Sequence, residues 1–276
     1  MNVITALLAA LALAIAALGL WRWSDTRADA AERTRLLTFQ PETPALFDPA
    51  MAAELPEPAR RYFTYMIAPG TPLYTVVEVD MHGQFGMGTK DAPNYVPMTA
   101  TQTLATPHGF IWQMRARGGG MWLSGSDSGA WTRFWLYDLA PVARAGGGAD
   151  HRMSAFGRYA IEAVFWSPAA LLPGPGIAWE ALDNNRAQVT ITHDDLEEVI
   201  TLTVDANGQP TSVSFMRWSN ENAEKTFRRQ PFGGTLSDFQ TFGGYTLPTH
   251  VEAGNHFGTD AYYPFFIADV SAVRFP

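Results

Sequence analysis

Two opposite charges lie four residues apart in an otherwise apolar stretch, and their types and spacing suit the binding of an anionic group. Arg158 and Glu162 are the only charged residues within 154–166, where most other side chains are apolar. On a helix this spacing places them on one face, where they can form an ion pair. If the pair faces a cavity, Arg158 can hold an anionic head group; if it reaches solvent, it is an ordinary surface pair. The sequence leaves both interpretations open.

The histidines provide an alternative site. His250, Glu252 and His256 would share one face of a continuous strand, and three such ligands can hold a metal with an open position. The intervening Gly-Asn pair favours a bend before His256, and none of the six histidines has the two-histidine helical spacing of a zinc hydrolase. We therefore assign no catalytic residue, metal or cofactor, and keep a hydrolase using His250, Glu252 or Glu162 as an alternative function.

Aromatic residues are the other candidates for a binding site. They make up 13% of the chain, whereas charged residues make up only 17%, compared with about 25% in a typical globular protein. Tryptophans in or beside the predicted strands and helix can line an apolar ligand pocket or form an ordinary core. Together with Arg158 and Glu162, the predicted ligand-binding residues are Trp112, Trp122, Trp135, Trp166 and Trp179.

Charge and cysteine content exclude several classes of function. The formal net charge is −8, whereas binding to a nucleic-acid backbone requires clustered Lys and Arg, so we predict no nucleic-acid partner. The chain has no cysteine, which removes disulfides, thiolate catalysis and cysteine-based metal sites.

The N-terminal segment predicts a membrane anchor. Residues 3–21 carry no charge, close to the roughly 20 apolar residues that cross a bilayer, and Trp21 and Trp23 flank Arg22 as interfacial anchors do. A cleaved signal peptide is the alternative, although its apolar core is usually shorter. We predict an anchor at 1–23, a juxtamembrane stalk at 24–45 and a single β-rich domain at 46–276.

The orientation of this anchor is less constrained. Four arginines follow the apolar run within residues 22–35 and none precedes it, which by the positive-inside rule favours a cytoplasmic body. Anchors that precede large β domains usually belong to exported proteins. On that association we predict a single-pass protein of the bacterial inner membrane with a periplasmic body.

The elements that must position these side chains are mostly strands. From residue 73 onward, short β-branched and alternating segments are separated by turn residues, which is typical of antiparallel connections. Residues 154–166 interrupt them with a helix that is apolar nearly all round, as buried helices are. We predict a mostly β (α+β) fold, in which a curved antiparallel sheet, half-barrel-like, wraps around one central helix. A sandwich and a closed barrel are the alternatives.

Residues 158–173 contain the pattern Arg-Tyr-x-x-Glu-x-x-x-Trp-x-Pro, and residues 55–63 read Leu-Pro-Glu-Pro-Ala-Arg-Arg-Tyr-Phe. These stretches resemble a bacterial family known only as a domain of unknown function. The resemblance extends from about residue 55 to the end and implies an N-terminal membrane segment and one domain, but neither a reaction nor a ligand. The half-barrel architecture also resembles that of lipoprotein-carrier proteins.

The leading functional hypothesis is a membrane-anchored, non-enzymatic protein that binds a lipid or another hydrophobic ligand. It depends on the anchor, the aromatic excess, the low charge and the lack of a catalytic motif. Besides the hydrolase, a structural or protein-interaction module of the cell envelope is the second alternative.

Overall fold

One open antiparallel sheet dominates the computed structural model, which describes residues 2–276. Its thirteen strands are β1 (Val76–Gly86), β2 (Tyr95–Ala105), β3 (Gly109–Gly118), β4 (Met121–Ser128), β5 (Trp131–Leu136), β6 (Ala140–Gly146), β7 (Ile177–Ala181), β8 (Arg186–His193), β9 (Leu196–Val204), β10 (Pro210–Ser219), β11 (Arg228–Phe242), β12 (Tyr245–Asn255) and β13 (Tyr263–Arg274). The strand order is β6-β5-β4-β3-β2-β1-β13-β12-β11-β10-β9-β8-β7. Apart from the pairing of β1 with β13, neighbours in the sheet are neighbours in the chain, as short hairpin turns require.

Three α-helices accompany the sheet: α1 (Val3–Leu37), α2 (Glu57–Met66) and α3 (Ala149–Trp166). Helix α3 contacts β3 and β6 in one half of the sheet and β9, β10 and β12 in the other half. The sheet therefore curves around α3, and we call the face that holds this helix the concave face. The predicted fold class, a curved antiparallel sheet around a central helix, is confirmed.

A close approach between α3 and β10 fixes the helix in the concavity. A Cβ atom at Gly157 would lie 2.6 Å from the ring of Phe215 and 3.2 Å from Oε1 of Glu198. Because a side chain would not fit there, glycine allows the helix backbone to approach the sheet directly. The apolar residues of α3, among them Phe156, Ala160 and Val164, are buried, as the all-round apolar pattern predicts.

The opposite, convex face of the sheet is partly covered by the C-terminal half of α1. Leu36 is buried against Val76, Ala105 and Ile111 of the first three strands. Asp29 accepts a hydrogen bond of 2.7 Å from the Ser126 hydroxyl of β4. The segment predicted as a stalk thus begins as helix, continuous with the apolar run and packed on the sheet through residue 37, while the boundaries at 23 and 45 remain predictions.

A buried carboxylate of α1 also binds side chains of β5 and β6. The carboxylate of Asp25 accepts two hydrogen bonds from the Arg144 guanidinium, at 2.7 and 3.0 Å, and one of 2.9 Å from Nε1 of Trp135. Arg133 lies 3.3 Å from the same carboxylate. Asp25 is buried, so these partners replace the water that its charge loses.

Helix α2 closes one end of the core. The rings of Tyr62 and Phe63 contact Trp179 with centroid separations of 5.6 and 5.5 Å, and the Tyr62 hydroxyl donates to the carbonyl of Val164 at the end of α3. The buried side of this helix, which includes Ala59 and Met66, therefore packs on the core.

Candidate functional site

A cavity of about 530 Å³ lies between α3 and the concave face of the sheet. This volume is within the range of about 300–1,000 Å³ that is common for small-molecule sites. Most of its wall is apolar, formed by Phe85, Trp112, Phe134, Ile161, Phe165, Trp166, Val213, Phe232, Leu236, Val251, Phe265 and Phe266. The cavity can therefore accommodate an apolar group of one small ligand.

The predicted ion pair faces this cavity and has a third member. Nε of Arg158 donates to Glu162 at 3.0 Å, and its Nη1 donates to Asp127 of β4 at 2.5 Å. Nε2 of Gln102 donates to the second oxygen of Glu162 at 2.7 Å. Burial lowers the pKa of Arg158, but the charges of Glu162 and Asp127 outweigh it and hold the pKa above its ordinary value. Two carboxylates therefore compensate the positive charge of Arg158.

A second arginine in the cavity wall has no such partners. Arg217 of β10 lines the cavity, and its guanidinium lies 4.9 Å from the ring of Phe232. Among the described residues, no carboxylate lies within ion-pair distance of it, and its Nε is buried without a hydrogen bond. Burial and the nearby charge of Arg158 lower its pKa. A ligand that brings negative charge would relieve this desolvated cation.

Two tryptophans also have indole N–H donors without a hydrogen-bond partner among residues 2–276. Nε1 of Trp112 and Nε1 of Trp166 are buried and have no hydrogen-bond partner within the described chain, although most buried polar groups in proteins have one. Both residues line the cavity. With Arg217, three residues that line the cavity therefore carry an unused N–H group, which matches a ligand with oxygen acceptors.

The structure brings together only four of the seven predicted ligand-binding residues. Arg158, Glu162, Trp112 and Trp166 line the cavity. The other three predicted residues, Trp122, Trp135 and Trp179, are not part of the cavity wall.

Strand direction explains the positions of Trp122 and Trp135. Successive side chains of a strand point to opposite faces, so Trp122 lies on the face opposite to Asp127 in β4, where the Arg117 guanidinium stacks on its ring at 4.1 Å. Trp135 points away from the cavity to the Asp25 carboxylate of α1. Trp179 belongs to the core beneath α2, and its Nε1 donates to the carbonyl of Leu171.

Sequence reasoning missed Arg217, although a signal was present. Val213, Phe215 and Arg217 alternate along β10 and therefore share a face. An arginine on the same face of a strand as buried apolar residues is itself removed from water, which makes it a candidate for ligand binding.

The alternative site around His250 lies on the other face of the sheet. Its Nδ1 is 2.7 Å from Asp269 and its Nε2 is 3.5 Å from Glu252, whereas Val251 between them lines the cavity. The hydrogen bond with Asp269 raises the pKa of His250. Strand β12 ends at Asn255, and His256 follows with a φ of 61°, so it does not continue the face of His250. Within residues 2–276, no cluster of three or more His, Asp or Glu side chains is arranged to hold a metal.

The molecule is therefore a half-barrel protein, in which a curved antiparallel sheet surrounds one helix. Between them lies a largely apolar cavity whose lining includes the charged residues Arg158, Glu162 and Asp127. The chain belongs to a family of unknown function, DUF6544, whose model matches residues 45–267. The predicted resemblance to a family of unknown function is thereby confirmed. No curated protein matches the sequence.

Two solved structures are distantly similar in fold. A LolA superfamily protein from Nitrosomonas europaea is 9% identical, with 79% of this chain and 92% of that chain covered and a TM-score of 0.42. A domain described as that of an outer membrane lipoprotein-sorting protein from Vibrio parahaemolyticus is 11% identical, with 72% and 85% covered and a TM-score of 0.36.

Proposed function

We propose that this protein binds an amphiphilic ligand, with an apolar tail and an anionic head group, while α1 holds it in a membrane. The observation that carries the proposal is the cavity of about 530 Å³, whose apolar wall is interrupted by an arginine without an ion-pair partner. An apolar cavity alone suits any oily molecule. The unused donors narrow the class of ligand to one with oxygen acceptors, such as a fatty acid or a lipid phosphate.

The first helix supports the membrane part of the proposal. Its apolar run has a mean hydropathy of 2.6 over 18 residues and is not buried against the rest of the protein. Burial in lipid would remove this apolar surface from water. Signal sequences share such length and composition. We favour an uncleaved anchor because α1 continues without a break into the sheet contacts of Asp25 and Leu36. Our placement is a single pass through the bacterial inner membrane with a periplasmic body.

Photo-crosslinking in native membranes tests ligand binding with the full chain. The probe is palmitic acid with a diazirine in the middle of its chain, added to membranes that contain the protein and then irradiated. Labelled peptides are identified by mass spectrometry, and labelling of α1 by probe dissolved in the bilayer serves as the internal reference. We expect strong labelling of cavity-wall peptides from β11 and β13. Labelling of α1 alone would contradict the proposal.

Filling the cavity is expected to prevent this labelling. Ala253 lies in the cavity wall, so the indole in Ala253→Trp takes the space of the ligand. We expect the ratio of cavity label to α1 label to fall at least about tenfold, which corresponds to only about 1.4 kcal/mol of binding free energy. The matched control is Ala178→Trp at an exposed position of β7. Equal ratios in both variants would show that the label does not report the cavity.

Removing the unpaired cation is expected to affect only the anionic probe. In Arg217→Gln the side chain stays polar but is shorter and loses its charge. Because a charge-assisted hydrogen bond contributes about 1.5–3 kcal/mol, we expect cavity labelling by the palmitic acid probe to fall about tenfold or more. The corresponding diazirine fatty alcohol has no charge, and its labelling is expected to stay unchanged. A parallel loss of both probes would assign Arg217 a purely structural role.

A further inference from the structure

The geometry points to a membrane-facing cavity: we infer that the cavity mouth opens toward the bilayer and that the strand ends around it rest on the membrane surface. This inference rests on the proposed membrane anchoring, but it does not depend on which ligand the cavity binds. The occupant of this surface is the lipid interface itself.

The cavity mouth lies at one defined end of the strands. Gly86 pairs with Tyr95 at the β1–β2 loop, and Asn255 pairs with Tyr263 at the β12–β13 loop. Gly86, Met87, Asn255 and Tyr263 all line the cavity. Met87 is also 48% exposed, so the cavity reaches solvent at these loops. We call this edge of the sheet the mouth end.

The same end of the sheet carries the turns nearest to the anchor. In the strand register, the β3–β4 turn follows Gly118 and the β5–β6 turn follows Leu136, on the side of the β1–β2 loop. Tyr137 connects these two turns because its hydroxyl donates to the carbonyl of Gly120 at 2.6 Å. Strands β3 to β6, in the half of the sheet that α1 covers, therefore also have turns at the mouth end.

Helix α1 runs toward this end. Leu36 packs on Val76 and Ala105, at the opposite end of the strands, whereas Nε of Arg22 donates to Asp138 in the β5–β6 turn at 3.3 Å. The helix continues from there without interruption to Val3. At about 1.5 Å per residue, residues 3–21 project roughly 28 Å past the mouth end. If this segment spans a bilayer, the mouth end is the part of the body next to the lipid.

The exposed side chains at the mouth end suit a membrane interface. Tyr137 and Leu139 in the β5–β6 turn are 55% and 42% exposed, and Arg22 of α1 donates to Asp138 between them. Aromatic and apolar side chains of this kind are enriched at the level of lipid head groups. Two cations at the β10–β11 connection are paired with carboxylates, Lys225 with Glu221 and Arg228 with Glu224. We therefore expect insertion of apolar groups to hold this end on lipid without a requirement for anionic lipids.

A protein partner could also cover exposed apolar side chains, but the continuity with α1 favours lipid. Asp25 and Asp29 fasten the helix along the sheet, so the body has no flexible linker that would carry the mouth end away from the bilayer. A tethered body with a free linker could face any direction, whereas this one cannot.

Fluorescence quenching of the full chain in phosphatidylcholine vesicles tests the inference. The chain has no cysteine, so single substitutions can be labelled cleanly with an NBD fluorophore. Met87→Cys and Leu139→Cys report on the mouth end. Leu46→Cys and Leu182→Cys are exposed controls near the opposite end, where Leu46 pairs with Pro72 before β1 and Leu182 follows β7.

We expect doxyl-labelled lipids to quench the two mouth-end fluorophores at least about twice as strongly as the two controls, and aqueous iodide to show the reverse order. Equal quenching at all four positions, or stronger lipid quenching at the controls, would overturn the inference. Photo-crosslinking of the cavity separates this inference from the proposed function. If the cavity is labelled but all four fluorophores are quenched equally, ligand binding stands and the membrane orientation is wrong. If the mouth-end fluorophores are quenched more strongly but the cavity is not labelled, the membrane orientation stands and ligand binding is wrong.

Discussion

Arg158→Ala is expected to destabilise the folded chain by about 3–5 kcal/mol, the range for removing one partner of a buried ion pair. The substitution leaves the carboxylates of Asp127 and Glu162 in the cavity corner without the cation that holds both of them. The Arg158 guanidinium also stacks on the ring of Trp112 at 4.8 Å, and this contact is lost as well. The measurement is unfolding in urea of the full chain in mild detergent, followed by tryptophan fluorescence.

The same helix supplies a matched control. Arg152 forms an ion pair of equal quality with Asp195, but its side chain is 50% exposed, whereas that of Arg158 is 17% exposed. Exposed pairs contribute little because water and salt screen them, so Arg152→Ala should leave the unfolding midpoint within experimental scatter. The combination of Arg158→Leu with Asp127→Asn and Glu162→Gln should recover much of the lost stability. If Arg158→Ala and Arg152→Ala reduced the free energy of unfolding equally, burial of the ion pair would not explain the effect at Arg158.

Replacing Asp25 and Asp29 is expected to have opposite effects, although they lie one turn apart on α1. Burial raises the pKa of Asp25, but hydrogen bonds from Arg144 and Trp135 outweigh it and hold the pKa below the ordinary range. Burial dominates at Asp29 and raises its pKa, despite the hydrogen bond from Ser126. At neutral pH we expect Asp25→Asn to cost about 2–3 kcal/mol, since its arginine partners stay partly exposed. Asp29→Asn should increase stability.

The pH dependence of the two effects distinguishes them. Because the folded-state pKa of Asp25 is depressed, its contribution is complete above the unfolded value of about 3.9 and is lost as the pH falls through the folded value. The raised pKa of Asp29 penalises the folded state at neutral pH, and this penalty disappears as the pH falls from the folded value to the unfolded one. Urea unfolding between about pH 3 and 7 measures both. A similar loss of stability at pH 7 in the two variants would contradict the assignment of burial as the dominant effect at Asp29.

Most of the fold follows from local sequence patterns, and the exceptions have physical reasons. The strand periods and the buried helix both correspond to observed elements. Strand β6 was not predicted because residues 140–146 combine Pro, Ala and Gly, which have low strand propensity. Helix α3 begins at Ala149, earlier than predicted, because its first turn is polar and partly exposed and therefore lacks the apolar signal.

The candidate site was only half predictable, for a different reason. Alternation separates the two faces of a strand but identifies the inner face only when the other one is polar. Here α1 covers part of the convex face, so Trp135 is as buried there as Trp112 is on the concave face. Aromatic content therefore could not assign a side. Arg158 was found because its helix has few charges, whereas the importance of Arg217 depends on which carboxylates lie near it in space.

The uninterrupted helix α1, some 50 Å long at about 1.5 Å per residue, also determines how an anchored chain would meet its ligand. A body that is joined to its membrane-spanning segment without a flexible linker diffuses only laterally, in the plane of the membrane. Encounter with an amphiphile dissolved in the same leaflet is then a two-dimensional search, governed by the number of ligand molecules per unit area of membrane.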